Sequence, residues 1–234
     1  MQKNCNFQTH LKYNFLLKLF KILSITVTSL LLIVISFLHY QQFPIYEWKF
    51  ILEYIKDNRQ KEDFNSIATK LGYNENDKLL IIHADDVGLS KSVNESTFES
   101  FKNNSITSAA IIMNTYEMEE GLKFAVENPN FDFGVHLTVT SEWKYHKWGG
   151  ILDKAKTPSL HNSVNNFYWN KRKFVKNADL NEIKMELQAQ ISLAKSMGLK
   201  PSHIDSHEGA LFFDPNIFKI YIDLAIENDL LAFV

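Results

Sequence analysis

Beyond Lys78 the chain alternates between short uninterrupted apolar runs and longer stretches whose apolar positions recur at helical spacing. Leu79–His83, Ser108–Met113, Asp132–Leu137, His203–Asp205 and Leu230–Val234 read as strands, the most apolar of them buried on both faces. Ser90–Asn104, Met118–Asn128 (closed by Pro129), Leu180–Met197 and Pro215–Asn228 read as helices. Asp179 with Glu182 three residues later is a capping-box pattern, and Gly198 supplies a stop. Thr138–Asn177 is polar and aromatic with little periodicity. Strands alternating with helices predict an α/β fold around a parallel sheet, either an open doubly wound sheet or a β/α barrel.

The N-terminal part has a different pattern. Ile22–Leu38 runs for 17 residues without a charge, preceded by Lys3, Lys12, Lys18 and Lys21 and by no acidic residue. This predicts a transmembrane signal anchor with a cytoplasmic N-terminus and an extracytoplasmic body, the alternative being secretion after signal cleavage. No small-x-small cleavage site follows Leu38, which favours the anchor. Glu47–Lys70 then carries apolar residues at helical spacing, from Trp48 through Ile55 to Leu71, and Gly72 offers a stop. The expected organisation is a basic cytoplasmic segment (1–21), the anchor (22–42), a juxtamembrane helical segment (43–76) and a catalytic-type domain (77–234). Because the pattern ends within an apolar run at Val234, that domain is expected to be incomplete at its C-terminus.

Composition narrows the function classes. With 25 Lys+Arg against 27 Asp+Glu, a net charge of −2 argues against nucleic-acid binding through a basic field. A single cysteine, Cys5, excludes an internal disulfide framework and a thiolate-rich zinc site.

The candidate chemistry lies at three strand ends: His83-Ala84-Asp85-Asp86, His136, and His203-Ile204-Asp205-Ser206-His207. In parallel α/β folds the carboxyl ends of the strands converge on one ligand site. Two histidines and a carboxylate suit a mononuclear catalytic metal, and a neighbouring carboxylate suits a general base. No G-x-S-x-G elbow is present, Cys5 is remote, and Gly88 and Gly134 form no phosphate-cradling loop. His146 and His161 are expected on the loop surface.

The ordered segments IIHADDVGLSKSVNES, ITSAAIIMN, FGVHLTVTSEW and PSHIDSHEG resemble the YdjC-like carbohydrate deacetylase family, relatives of the polysaccharide deacetylases. The resemblance runs from about Leu79 to the C-terminus. It implies a distorted TIM-like β/α barrel, one divalent metal ion (Mg2+ or Zn2+), and removal of acetyl groups from N-acetylated sugars such as chito-oligosaccharides. It further implies Asp86, His136 and His207 as metal ligands and Asp85 as catalytic base. His203 and Asp205 would support the ligands or face substrate. Asn94 and Asn114 match family positions that either pin turns or touch sugar. Trp143 lies in a loop whose aromatic residues could stack on sugar rings or pack as a lid. Many relatives read H-x-D-S-H-H-H, whereas Glu208 and Gly209 follow His207 here. The histidines that could protonate a leaving amine are therefore absent, which leaves the acid unidentified, with His203 and a residue beyond Val234 as candidates. The alternatives are another metal-dependent hydrolase of amides or phosphoesters, and a non-catalytic glycan-binding relative.

Overall fold

The computed structural model describes residues 20–36 and 68–234. The chain divides after Lys78, and Leu79–Val234 carries the α/β unit. Its sheet contains five parallel strands in chain order: β1 (His83–Val87), β2 (Ser108–Ile111), β3 (Asp132–Leu137), β4 (His203–Ser206) and β5 (Leu231–Ala232). Helix α1 (Lys91–Lys102) connects β1 to β2, and α2 (Met118–Glu127) connects β2 to β3. Helices α3 (Lys171–Asn177) and α4 (Leu180–Ser196) lie between β3 and β4, and α5 (Pro215–Asn228) between β4 and β5. Strand order that follows the chain without reversal is that of a β/α barrel, and it lacks the switch point of a doubly wound sheet.

Packing follows the residue pattern. Ala109, Ala110 and Ile111 of β2 are inaccessible to solvent, as a parallel strand covered on both faces requires. In α4, Ile183, Leu187, Ile191 and Ala194 form one buried stripe at spacings of three and four. Asp179 accepts from the backbone N–H of Asn181 and Glu182 at the start of that helix. The buried hydroxyl of Tyr221 in α5 lies 2.7 Å from the carbonyls of both Ile204 and Phe233, which share its one proton, and so joins β4 to the residues after β5.

Helix α4 also organises the long segment after β3. Gln190 accepts from the Thr138 N–H at 3.0 Å and donates to the Thr138 carbonyl at 2.8 Å. Glu186, fully buried, accepts from the N–H groups of Ile151 (2.8 Å) and Leu152 (2.9 Å). The loop approaches that carboxylate closely at Gly150, where a Cβ would sit 2.6 Å from Glu186 Oε2. His161, expected on the surface, is 4% exposed: its Nε2 accepts from the Gly150 N–H and its Nδ1 faces the Thr157 carbonyl at 2.9 Å.

The elements differ from expectation at two further points. The first strand begins at His83, whereas Leu79, Leu80, Ile81 and Ile82 are exposed ahead of it. Its partner β2 starts at Ser108, opposite His83, so the preceding residues have no strand to pair with beyond the contacts of Ile82 with Thr107 and Ser108. Helix α3 had no periodic signal because only Phe174 of its seven residues is buried.

The membrane anchor is overturned. Among the described residues no helix is long and apolar enough to cross a membrane. The described residues of this segment, 20–36, form 17 residues of helix. At 1.5 Å per residue those described residues reach about 25 Å, against a hydrocarbon core of about 30 Å. The single-pass topology and the extracytoplasmic placement derived from it fall with the anchor. Residues 37–42 of the expected span, most of 1–21, and 43–67 of the expected juxtamembrane segment lie outside the described residues.

Candidate active site

The site begins with an irregularity in β1. Ala84 pairs with Ala109 and Val87 with Ile111, so three steps along β1 match two along β2. This bulge is completed by Asp86, which adopts a left-handed backbone at φ 63°. In a regular strand, neighbouring side chains point to opposite faces. Here the bulge brings both Asp85 and Asp86 to the carboxyl rim, beside His136 from β3 and His207 directly after β4.

Asp86 Oδ1 lies 3.2 Å from His136 Nε2 and 3.0 Å from His207 Nδ1, and those two nitrogens are 3.2 Å apart. The histidine side chains are 2% and 4% exposed, the Asp86 side chain 30%, so solvent reaches the triangle from the aspartate side. Burial disfavours charge on Asp86, but hydrogen bonds with His136 and His207 outweigh it and hold the carboxyl well below the usual carboxylate range. Burial likewise opposes the His136 imidazolium, yet Asp205 and Asp86 raise its pKa to about 10. For His207 the same opposition is overcome by Asp86 and Glu142, to about 9. The cluster therefore favours positive charge.

Each imidazole engages a second carboxylate through its other nitrogen. His136 Nδ1 bonds Asp205, a carboxylate that also takes His83 Nε2 at 3.1 Å. His83 Nδ1 in turn meets Ser108 Oγ at 2.9 Å. Although burial raises it, these histidines hold the Asp205 carboxyl down at about 2. His207 Nε2 bonds Glu142 Oε2 at 2.9 Å. The ring nitrogens facing Asp86 are thus Nε2 of His136 and Nδ1 of His207, left as electron-pair donors when the outer nitrogens carry the protons.

The donor set fits a divalent metal. A tetrahedral ion about 2.0–2.2 Å from nitrogen and oxygen ligands separates its donors by about 3.3–3.6 Å, a few tenths of an ångström wider than the spacings in this triangle. Two imidazoles, one carboxylate and a side open to solvent match the composition of a catalytic site with a free position.

Asp85 stands beside this triangle with 62% of its side chain exposed, 3.5 Å from His83 Nε2. Partial desolvation, with Asp205 and Asp86 nearby, pushes its carboxyl above the ordinary value against the lowering influence of His136 and His83. The other sequence candidates separate by role. His203 lies one strand position pair below Asp205, its ring against Gly134, edge-on to His83 at 5.1 Å and near Phe233. Burial and the neighbouring His83 and His136 lower its pKa despite Asp132 and Asp205. Asn94 is fully buried and bridges the Gly88 N–H, the Glu117 carbonyl and the Glu120 carboxylate, pinning the turn after β1. Asn114 donates to the Gly149 carbonyl at 2.7 Å and accepts from Thr138 Oγ1 at 2.8 Å, fastening the long loop. Trp143 is half exposed on that loop, whereas Trp148 is buried edge-on to His207 at 5.6 Å.

Glu142 was not singled out from the sequence. Its signal lay in the T-S-E-W segment, where an acidic residue follows the third strand at the rim, but spacing alone did not connect it with His207.

A protein-family model described as YdjC-like protein matches residues 79–233. A carbohydrate deacetylase of Clostridium beijerinckii is 30% identical over 64% of this chain and 58% of its own length. One from Geobacillus stearothermophilus is 35% identical over 62% of this chain and 55% of its own. A crystal structure of an Enterococcus faecalis V583 protein superimposes with a TM-score of 0.59 at 28% identity, covering 65% of this chain and 57% of that one. The chain thus spans between half and two thirds of the length of the relatives it matches.

Proposed function

This chain belongs to the YdjC-like protein family, and from that premise we propose that it is a metal-dependent deacetylase of N-acetylated carbohydrates. The observation that carries the reading is the convergence of Asp86, His136 and His207, with a separate carboxylate behind each imidazole. The carbohydrate deacetylases among its relatives support an acetylated sugar as the substrate class.

Asp86 Oδ1, His136 Nε2 and His207 Nδ1 would hold the divalent ion. Bound there, such an ion supplies Lewis-acid polarisation of an acetamide carbonyl and lowers the pKa of water. Asp85, exposed at the rim with a raised carboxyl pKa, accepts a proton from the attacking water on a carboxylate oxygen. The carboxyl proton of Asp85 then passes to the departing amine as the C–N bond breaks. Water thereby contributes hydroxyl to acetate and hydrogen to the amine, and Asp85 ends as it began. His203 takes no part in this scheme, because its ring lies against Gly134 and Phe233. Asp205 and Glu142 accept from the outer nitrogens of the two histidines, so that each neutral ring presents its inner nitrogen as the electron-pair donor. The lower dielectric around the buried imidazoles strengthens each of these interactions.

Incubation of the zinc-loaded chain with N-acetylglucosamine oligomers tests the proposal. Acetate and free amine released in equal amounts are expected. Release of phosphate from phosphorylated sugars, without acetate from acetylated ones, would refute it.

A further inference from the structure

We infer that Glu142 is a positioning residue that locks the His207 ring with Nδ1 directed at the metal. The inference rests on the reading of Asp86, His136 and His207 as metal ligands. The two histidines use opposite ring nitrogens toward Asp86, so each needs its own acceptor on the far side. Asp205 serves His136, and Glu142 Oε2, 2.9 Å from His207 Nε2, serves His207. Glu208 also lies near His207, but its carboxylate is engaged by Thr140 Oγ1 at 3.3 Å and faces Lys171 Nζ at 3.9 Å.

The backbone beneath Glu142 is fixed on three sides. Ser141 donates its N–H to the Tyr168 carbonyl at 2.9 Å, its Oγ accepts from the Trp148 N–H at 3.0 Å, and its carbonyl accepts from Lys147 Nζ at 2.5 Å. Ser141 itself is inaccessible to solvent. The carboxylate is therefore delivered from a rigid loop to a ring that is 4% exposed, unlike a mobile surface ion pair. Trp148 closes another side of the same ring, at 5.6 Å between centroids. Without the acceptor, the ring can rotate or carry its proton on Nδ1, the atom the metal needs.

The test is a zinc competition titration of the full chain, its Glu142→Ala and Glu142→Gln variants, and His207→Ala, alongside thermal melts of the metal-free proteins. Glu142→Ala is expected to weaken zinc binding about 10- to 100-fold with an unchanged metal-free melt. Glu142→Gln, whose amide oxygen still accepts from Nε2–H, is expected to lose clearly less. Parent-like affinity in Glu142→Ala, equal loss in both variants, or a loss that tracks a lower metal-free melt would overturn the inference. A parent that takes up no zinc would overturn the metal reading along with it. Zinc uptake that depends on His207 but not on Glu142 would overturn the positioning role alone.

Discussion

Adjacent side chains of a regular strand diverge, so the Asp85-Asp86 pair serves a single site only through the bulge and the left-handed φ of Asp86. This separates their roles: Asp86 is clamped between two imidazoles, and Asp85 stays exposed with a raised carboxyl pKa. Asp85→Asn is expected to lower deacetylation about 10²- to 10⁴-fold, the range of general acid–base catalysis, with zinc binding retained. Steady-state kinetics beside a zinc titration checks this, and full activity would remove Asp85 as the base. Gly134 makes a steric prediction. A Cβ there would meet the His203 ring at 2.4 Å, so Gly134→Ala should destabilise the fold by about 1–3 kcal/mol in chemical denaturation. A neutral effect would mean that the His203 ring moves aside freely.

At the scale of elements, the site depends on helix α4 as well as on the strands. Glu186 and Gln190 of that helix hold the segment after β3 through buried backbone hydrogen bonds, and that segment delivers Glu142 and Trp148 to His207. Glu186→Ala leaves the Ile151 and Leu152 N–H groups without their acceptor. At about 1–3 kcal/mol for each unsatisfied group, its unfolding free energy should fall by roughly 2–6 kcal/mol. A change within experimental error would mean that the loop rearranges to find other acceptors. The strand–helix alternation was legible because buried strands and the α4 stripe leave direct traces in residue pattern, and β3 coincides with the predicted Asp132–Leu137. The late start of β1 was not, since Leu79–Ile82 are as apolar as a buried strand and only the position of β2 decides where pairing begins. The three rim clusters were legible because parallel strands bring their carboxyl ends together. The partnership of Glu142 with His207 spans 65 residues and depends on loop geometry that no local pattern encodes. The same holds for His161, an apparently superficial loop histidine that proves to be buried.

For the molecule as a whole, the balance of charge is local. The net charge of −2 is small, yet the rim gathers carboxylates around two histidines raised to about 10 and about 9. Both lie above the ordinary histidine value of about 6.5, so the metal-free fold holds these protons at neutral pH. That contribution to stability is present below about 6.5 and is lost as pH rises through the folded-state values. Metal competes with the same protons, so zinc affinity should rise with pH between about 6 and 8, roughly tenfold per unit for each proton displaced. Titrations in buffers of different ionisation enthalpy count those protons, and a pH-independent affinity would contradict the assignment. The central claim, that Asp86, His136 and His207 form one metal site, is tested most directly by elemental analysis. The folded chain and an Asp86→Ala, His136→Ala double variant would be compared after equilibration with zinc and removal of excess. One equivalent in the parent and none in the variant is predicted. No metal in a folded parent, or equal metal in both, would contradict the account.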